Sequence, residues 1–461
     1  MEVPWKQESG YEIKMENPRE QALDVLIKVD KKEELSHIII GNVLEKYQLS
    51  PKRDRAFFTR LTEGTLERLI TIDYVIDQFS RTKLRKCRPL IRSLLRMGTY
   101  QILFMDHVPD SAACNEAVKL AKKRGFSRLS GFVNGVLRNI SRNKDHIAWP
   151  DQNKDKNVWL SVKYSMPVWL IEFFRETYDA ETVEKMAASF LEEKETTLCC
   201  MKTRGGREPV KKEFLEEGIH VRDGILCDEA LKISGYDSLY RLSAFREGKC
   251  FVQDESSMLA ASLAGARAGQ TVLDLCSAPG GKAMYMADQM NGEGIVIARD
   301  LTEEKADLIE ENIERTELEN IRVEAADARV QDKDMLEKAD VVLADLPCSG
   351  LGIMGRKNDI KYNADREQMK ELAILQKKIL KNAASYVKPG GVLLYSTCTI
   401  NPEENEENFR WIREESGFEP EDLRPLLPAD LKSDTAQDGY LQLLPGIHPC
   451  DGFFIGKLRR V

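Results

Sequence analysis

The C-terminal half of the chain alternates short apolar segments with helical stretches, and this rhythm constrains the fold more than any other feature. Five β-rich segments follow one another from about residue 248 onward: TVLDLC, GIVIARD, NIRVEAAD, ADVVLADLP and GGVLLYSTC. Apolar strands that are separated by helices are typical of a parallel sheet covered on both faces. The sequence therefore predicts a doubly wound α/β domain over residues 249–461.

The remaining residues predict two smaller parts and a polar N-terminus. Apolar residues recur at three- and four-residue spacing between residues 18 and 142, which predicts an all-helical domain over residues 18–147. Mixed patterns over residues 148–248 predict a small α+β module, preceded by a polar linker at 141–157. We expect residues 1–17 to be flexible.

The charge of the chain is divided unevenly along its length. The net formal charge is −8, but residues 18–145 carry a net charge of +10 and the rest carries −18. Seven cations occur without an intervening acid between Arg81 and Arg96. Such a run is either a solvated helix face or a surface that binds a polyanion. A basic helical domain on an acidic body favours the second interpretation.

Polar residues follow the first three predicted strands of the α/β domain. The loop DLCSAPGGK (274–282) comes first, and its paired glycines let the backbone approach a ligand closely. Asp300 and Asp327 end the next two strands. Ligands of such sheets bind beyond the carboxyl ends of the strands, where an acid can accept hydrogen bonds from ribose hydroxyls. Asp300 alone could instead cap the following helix, but the three features together predict an adenosine-containing ligand.

Two cysteines and a carboxylate follow the later strands. Asp345 and Cys348 come from the segment DLPCSG, and Cys398 comes from YSTCT. A thiolate that adds to C6 of a cytosine converts C5 into a nucleophilic carbon, and a second thiol can assist the later release. We interpret the other eight cysteines as small buried hydrophobic residues. Neither a C-x-x-C pair nor a histidine cluster is present, so we expect no metal site.

The motifs VLDLCSAPGGK, DLPCSG and YSTCT resemble those of the NOL1/NOP2/Sun family of RNA cytosine-C5 methyltransferases. The resemblance implies a Rossmann-like class I methyltransferase domain in which Cys398 is the nucleophile and Cys348 promotes release. It also implies that Asp345 contacts the target base and that Lys282 lines the site. The cofactor would be S-adenosylmethionine, and the residues implied to hold it are Cys276, Ser277, Ala278, Pro279, Gly280, Gly281, Lys282, Asp300, Asp327 and Asp345.

The resemblance covers nearly the whole chain. The segment FVQDESSMLAA (251–261) is similar to the start of the family's catalytic domain, and DGFF (451–454) is similar to its terminal strand. The segments GTYQILFMDHVPDSAACNEAVKLAKK and GFVNGVLRN resemble a NusB-like helical RNA-binding domain. This fusion is similar to the bacterial Sun/Fmu (RsmB-type) branch, which implies a cytosine of small-subunit (16S) ribosomal RNA as the target.

The RNA contacts are less well defined by the sequence. Arg85, Lys86 and Arg88 lie within the basic run, and Arg356 and Lys361 belong to a partial match to a basic family motif that follows DLPCSG. The middle module reads LCCM at 198–201, where the family usually has an LRVN-like strand. That departure puts some RNA contacts of the module in question.

Several properties follow as expectations. No apolar N-terminal segment and no run of about 18 apolar residues occurs, so we expect a cytoplasmic protein that binds no membrane. We also expect a monomer without a metal, and the resemblance implies ribosomal RNA as its partner. One alternative keeps the chemistry and changes the substrate to tRNA, another rRNA site or DNA, and a DNA-type mechanism would make Cys348 the nucleophile. The other alternative is a non-catalytic NusB-like RNA-binding or ribosome-assembly factor.

Overall fold

A computed structural model describes residues 14–429, 431 and 433–461. The chain divides into two compact units, the first formed by residues up to Leu191 together with Gly355–Asn363, and the second by Glu192–Met354 with Ala364–Val461. This grouping differs from the predicted divisions at residues 147 and 248, which stay a prediction. Most of the predicted flexible N-terminus, residues 1–13, lies outside the described residues.

The first unit is helical, as the apolar periodicity predicts. Its helices are α1 (Pro18–Asp30), α2 (Ser36–Lys46), α3 (Lys52–Glu67), α4 (Leu69–Phe79), α5 (Pro89–Phe104), α6 (Asp110–Lys123), α7 (Ser130–Asn143), α8 (Lys156–Tyr164), α9 (Val168–Arg175) and α10 (Ala180–Ser189), with a short helix at Ile360–Asn363. The predicted linker at 141–157 overlaps the end of α7 and the start of α8. Within it, residues 147–155 carry no helix or strand.

Three helices of the first unit begin after residues whose side chains cap the helix start. The Asn17 side chain accepts from the amides of Arg19 and Glu20 ahead of α1, and Pro18 occupies the first helical position. Asp155 and Asp179 cap α8 and α10 in the same way. One continuous apolar core then forms among α1 to α7, so that buried leucine, isoleucine and valine side chains hold this unit together.

The segment 355–363 packs as part of the first unit although it lies far along the sequence. Asp359 is buried and accepts hydrogen bonds from the amide and the hydroxyl of Ser36, at 3.0 Å and 2.8 Å, which satisfies the start of α2. Lys361 is also buried, and its Nζ donates to the Glu67 carbonyl at 2.8 Å, at the end of α3. The negative end of the α3 dipole suits this cation.

The second unit begins with a small antiparallel sheet. Its strands are β1 (Thr196–Cys200), β2 (His220–Asp223), β3 (Ala230–Ser234) and β4 (Cys250–Val252), in the spatial order β2-β3-β1-β4, with α11 (Arg207–Glu216) and α12 (Ser243–Arg246) beside them. The sequence pattern predicts strands at 196–203 and 219–226 with a helix at 210–217 between them, which match β1, β2 and α11, whereas β3 and β4 were not predicted. One face of this sheet packs into the core of the α/β domain, because Cys199 and Phe251 share that core with Met258.

The α/β domain contains the parallel sheet that the sequence predicts. Its strands are β5 (Thr271–Asp274), β6 (Ile295–Asp300), β7 (Ile321–Ala325), β8 (Ala339–Asp345), β9 (Val387–Thr397), β10 (Glu419–Pro420), β11 (Tyr440–Leu443) and β12 (Phe453–Arg459). The order is β10-β12-β9-β8-β5-β6-β7, and β11 also pairs with β12. The strands β5 to β9 are parallel, and β12 runs antiparallel to β9, so the sheet is mixed.

Alternate residues of the central strands enter two separate cores, which explains their continuous apolar sequences. Val272 and Val341 belong to one core, and their neighbours Leu273 and Val342 belong to the other. The short helix Ile360–Asn363 of the first unit is α16. The helices of the second unit cover the two faces of the sheet, and they are α13 (Glu255–Ala264), α14 (Gly281–Gln289), α15 (Glu303–Thr316), α17 (Arg366–Tyr386) and α18 (Glu406–Ser416). Within the described part of the chain, no helix has the length and apolar character that crossing a membrane requires.

Candidate active site

The register of the parallel strands brings the predicted site residues to one edge of the sheet. Asp345, the last residue of β8, pairs with Ser396 of β9, so the turns that follow these strands lie side by side. Asp300, the last residue of β6, pairs with Ala325 of β7, two residues before Asp327. The loop after β5 lies between the two groups because β5 pairs with both β6 and β8. The sheet topology thus assembles residues that are up to 122 positions apart in the sequence.

The two predicted thiols are in direct contact. The Sγ atoms of Cys348 and Cys398 are 3.3 Å apart, and both residues are partly exposed. This contact with Cys398, together with burial, raises the pKa of the Cys348 thiol well above its ordinary value. Cys348 therefore keeps its proton and can donate it toward the Cys398 sulfur. A thiol that receives such a hydrogen bond is stabilised as a thiolate, which is the nucleophilic form.

A carboxylate is held in a fixed orientation beside the thiols. One oxygen of Asp345 accepts from Lys282 Nζ at 2.6 Å, and the other accepts from Ser396 Oγ at 2.8 Å. Lys282 also lies over the ring of Phe453, 5.2 Å from its centroid. Phe453 belongs to the DGFF segment, so this terminal motif supports the lysine that pairs with Asp345. The arrangement holds a carboxylate at the end of β8, next to the strand that leads to Cys398.

The glycine loop leads into the start of α14. Asp300, at the end of the neighbouring strand β6, accepts a hydrogen bond from this loop. Gly280 has a φ of 100°, a conformation that suits glycine and not residues with a Cβ atom. One oxygen of Asp300 accepts from the Ala278 amide at 2.9 Å, and the other accepts from the Leu301 amide and Lys305 Nζ, each at 2.8 Å. Asp300 is therefore fixed directly beneath the predicted cofactor loop.

The other loop residues have distinct environments. Ser277 is buried, Pro279 is exposed, and Gly281 begins α14. Cys276 is largely enclosed, and burial raises the pKa of its thiol, so it does not compete as a thiolate nucleophile. Burial likewise raises the pKa of Asp274, the residue that ends β5, to about 7.

The loop has polar groups that suit the amino-acid end of a nucleoside cofactor. Gln253 is buried beside Gly281, and its Oε1 has no hydrogen-bond partner among the described residues. A buried acceptor without a partner is costly, and a ligand ammonium group would satisfy it. The first amides of α14 point outward at the positive end of the helix dipole, which suits a ligand carboxylate. The residues present therefore fit S-adenosylmethionine.

Asp327, which the resemblance implies is a cofactor-binding residue, already has a partner within the chain. Its two carboxylate oxygens accept hydrogen bonds from the Arg329 guanidinium at 2.7 to 3.0 Å, and these bonds hold its pKa below the ordinary value. A nucleoside would have to share this carboxylate with Arg329. The role of Asp327 in cofactor binding stays a prediction.

The basic run of the helical unit is only partly available to a ligand. Arg92 and Arg96 form ion pairs with Asp30, and Arg96 also pairs with Asp73 at 2.6 Å, so these two cations join helices within the unit. The cations that remain exposed are Arg81, Lys83, Arg85, Lys86 and Arg88. Arg85 and Lys86 lie in a single 3₁₀ turn, Leu84–Lys86. The exposed cations thus include all three that the sequence singled out in this run.

The structure corrects one predicted RNA contact. Lys361 is 1% exposed and donates to the Glu67 carbonyl, so its side chain offers no atom to an RNA. The partial match to a basic motif contains a lysine that holds the segment 355–363 in the helical unit. Arg356, the other candidate of this motif, is exposed.

The burial of Lys361 predicts a pH dependence of stability. Burial lowers the pKa of Lys361 to about 7, whereas the unfolded chain keeps this proton up to about pH 10. The unfolded state therefore binds more protons between these values, and stability rises with pH across this window. We expect the denaturant midpoint of unfolding to rise less between pH 7 and pH 9.5 in Lys361→Met than in wild type. Lys357→Met serves as the control, and equal rises in all three proteins would contradict this account.

Three contributing residues were missed by the sequence reasoning. Ser396 orients Asp345, Gln253 lies beside the cofactor loop, and Glu404 accepts hydrogen bonds behind the thiols. Ser396 and Gln253 lie within segments that were quoted as motifs, so motif membership was the available signal. Glu404 lies five residues after the motif YSTCT in a run of acids, and nothing local distinguishes it from a surface glutamate.

Comparison with protein families places two matches on the chain. A model described as "16S rRNA methyltransferase RsmB/F" matches residues 261–459, and one described as "NusB family" matches residues 16–142. The chain is 36% identical to the "Probable ribosomal RNA small subunit methyltransferase B" of Bacillus subtilis, over 97% of this chain and 100% of that protein. A protein of the same description from Synechocystis is 31% identical, over 97% and 100%.

Solved structures share the fold. The crystal structure of PH0851 superposes with a TM-score of 0.80 at 25% identity and covers 97% of this chain and 99% of its own. The structure of NSun6 from Pyrococcus horikoshii with SFG superposes with a TM-score of 0.57 at 22% identity, over 64% and 98% of the two chains. The first match spans both units, and the second is a likeness of fold.

Proposed function

Because the chain belongs to the 16S rRNA methyltransferase RsmB/F family, with a NusB domain ahead of a Rossmann-like methyltransferase domain, we propose that it methylates C5 of a cytosine in 16S rRNA through a covalent bond between Cys398 and C6. Family membership makes it an S-adenosylmethionine-dependent rRNA methyltransferase; the position on the base and the covalent step are the proposal. The observation that carries this proposal is the contact of two thiols, 3.3 Å apart, beside an oriented carboxylate.

The first step of the proposed reaction uses Cys398. Its thiolate adds to C6 of the cytosine, and the electron pair of the C5–C6 double bond moves toward C5 and the N3 side of the ring. Asp345 supports this step by hydrogen bonding at the edge of the base while Lys282 and Ser396 hold its orientation. Covalent addition divides one difficult substitution into easier steps. When bound, S-adenosylmethionine supplies the methyl group that C5 takes up, held by the 276–282 loop, Asp300 and Gln253.

The second step releases the product. The C5 proton passes to solvent water, its electron pair restores the C5–C6 double bond, and the bond between C6 and the Cys398 sulfur breaks, which returns Cys398 as a thiolate. Cys348 holds its proton 3.3 Å from that sulfur, where it stabilises the departing thiolate. An unpaired or flipped-out base is needed for this chemistry, so we propose a single-stranded loop of the rRNA as the target. We further propose a cytoplasmic monomer that needs no metal.

Nucleoside analysis tests the proposed function. Small-subunit rRNA is incubated with S-adenosylmethionine and wild-type protein or Cys398→Ala, digested, and analysed by mass spectrometry against standards of the methylcytidine isomers. We expect 5-methylcytidine with wild type and none with the variant. Methylation at N3 or N4, or of a DNA or tRNA substrate in preference to rRNA, would overturn the assignment. Binding of RNA and cofactor without methylation of any substrate would instead support the non-catalytic alternative.

The exposed cations of the helical unit predict how RNA binding depends on salt. Each phosphate contact contributes about 0.7 to 0.9 to the slope of log affinity against log salt. We expect the double variant Arg85→Ala with Lys86→Ala to reduce the slope by roughly 1.5, and to weaken binding at low salt. The control removes two exposed cations of the α/β domain, Lys381→Ala with Arg410→Ala, and should leave the slope unchanged. Equal slopes for both double variants would place the RNA on another surface.

A further inference from the structure

A fully buried carboxyl group lies behind the two thiols. Glu404 is 0% exposed, and burial raises its pKa above the ordinary value. Its oxygens accept hydrogen bonds from the Ser349 amide at 2.9 Å, the Ser349 hydroxyl, Asn401 Nδ2 at 3.0 Å and Gln376 Nε2 at 3.0 Å. All four partners are neutral donors, so a carboxylate is stabilised here by hydrogen bonding alone. Burying a carboxylate among neutral partners is energetically unfavourable, so we expect this residue to serve a function.

The partners of Glu404 lie on both sides of Cys348. Ser349 follows this cysteine directly, and Gln376, which bonds Glu404, also donates to the carbonyl of Pro347 at 2.9 Å. The backbone is therefore held immediately before and immediately after Cys348. Gln376 is fixed in turn by Asn408, which donates to its Oε1 at 2.8 Å. The turn that carries Cys348 is thus attached to the buried interior through Glu404 on one side and Gln376 on the other.

The same network reaches the turn that carries Cys398. The hydroxyl groups of Ser349 and Thr399 are 2.7 Å apart, and Thr399 follows Cys398 directly. The residues next to the two cysteines are therefore bonded to each other and, through Ser349, to Glu404. Their two strands, β8 and β9, already run side by side, but the turns beyond a strand are free of the strand ladder. Beyond the ladder, the two turns are joined by a bond from the Gly352 amide to the Cys398 carbonyl at 3.0 Å and by this hydroxyl pair, which links the residues directly after the two cysteines.

We propose that Glu404 is the positioning residue that fixes the Cys348 turn against the Cys398 turn, so that the releasing thiol stays within reach of the nucleophilic sulfur. This inference rests on the proposed function, because it assigns Glu404 to the release step of that reaction. A carboxylate suits the role better than an amide, since every group around it donates. Glutamine would offer one acceptor oxygen and would direct an NH₂ group at one of the donors.

The negative charge of Glu404 also favours the protonated form of the Cys348 thiol. Its negative charge contributes to the raised pKa of Cys348, after the contact with Cys398 and burial. The titratable groups that interact with the Cys348 thiol are Cys398, Glu404 and the phenol of Tyr395. None of them is a cation, so the surroundings favour the protonated thiol that release requires.

The test follows the formation and decay of the RNA–protein adduct in single turnover on denaturing gels. It compares wild type, Glu404→Gln, Cys348→Ala and the double variant that combines both substitutions. We expect Glu404→Gln to form adduct at nearly the wild-type rate and to release it about tenfold more slowly, because a displacement of about 1 Å is enough for such a loss. Glu407→Gln, the same change at an exposed position three residues away, should behave as wild type.

The double variant separates positioning from a general loss of structure. If Glu404 acts through Cys348, the double variant releases adduct no more slowly than Cys348→Ala alone. An additive further slowing, equal losses in formation and release, or an unchanged lifetime in Glu404→Gln would overturn the inference. If Glu404→Gln does not fold, Ser349→Ala is used, which removes the hydroxyl bridge and should slow release in the same direction. Absence of adduct with Cys348→Ala would refute the proposed function, and this inference with it.

Discussion

Replacing Cys398 with alanine is expected to abolish methyl transfer, with turnover falling by more than about 10⁴-fold. The proposed reaction has no other route to a nucleophilic C5, because the neighbouring thiol of Cys348 keeps its proton. The substitution removes one partly exposed sulfur and leaves the backbone hydrogen bond between the Gly352 amide and the residue 398 carbonyl in place. Single-turnover transfer of a labelled methyl group to small-subunit rRNA measures the loss.

Two comparisons make this result specific. Cys87→Ala changes a partly exposed thiol of the helical unit and should transfer methyl groups at the wild-type rate. Binding of S-adenosylmethionine by Cys398→Ala should match wild type, which separates loss of the nucleophile from loss of the cofactor site. Retained activity in Cys398→Ala combined with loss in Cys348→Ala would exchange the roles of the two thiols, as the DNA-type mechanism requires.

Asp345→Asn is expected to lower the rate of methyl transfer by about 10²- to 10⁴-fold. The asparagine keeps the size of the side chain but lacks the charge that pairs with Lys282, 2.6 Å away. It also presents an NH₂ group to Lys282, to Ser396 or to the base. The loss should therefore appear in the single-turnover rate at saturating RNA and cofactor, measured as above.

The same strand supplies a matched control for Asp345. Asp340 lies near the opposite end of β8 and is also paired with a lysine, since it accepts from Lys388 Nζ at 3.0 Å. Asp340→Asn therefore breaks a comparable ion pair on the same strand, at the end of β8 away from Asp345 and the turn that carries Cys348. We expect nearly full activity from this variant. A similar loss in both variants would mean that the strand is merely destabilised and that Asp345 has no specific role.

The sequence correctly predicted which residues meet at the edge of the sheet, because that prediction needs only the positions of the strands and their parallel direction. Apolar strands that end in Asp300, Asp345 and Cys398 can converge only at their carboxyl ends if they are parallel, and the register of β8 and β9 places the two later ones side by side. The mixed order of the far strands was not predicted. DGFF was recognised as a terminal motif, but not as a strand antiparallel to β9.

Long-range polar pairing could not be predicted from the sequence. The basic run contains no acid, yet Arg92 and Arg96 pair with Asp30, more than 60 residues earlier. Lys361 resembles a surface cation in sequence and is buried against the end of α3. Both cases arise because a neighbouring helix, known only once the fold is formed, supplies the partner. A pattern of charges along the chain contains no information about such partners.

Glu404 illustrates the same limit within the active site. It stands in the acidic sequence NPEENEEN, whose other glutamates at 403, 406 and 407 are at least partly exposed. The donor that distinguishes it is Ser349, 55 residues earlier. Sequence patterns identify residues that perform chemistry on loops after strands, whereas the residues that hold those loops are defined by tertiary contacts.

Trapping of the covalent adduct tests the central claim most directly. Wild type, Cys348→Ala and Cys398→Ala are incubated with small-subunit rRNA and S-adenosylmethionine, and the products are separated on denaturing gels. The account predicts a stable RNA–protein adduct with Cys348→Ala, because the departing Cys398 sulfur lacks its proton donor, and no adduct with Cys398→Ala. An adduct from Cys398→Ala and none from Cys348→Ala would contradict it.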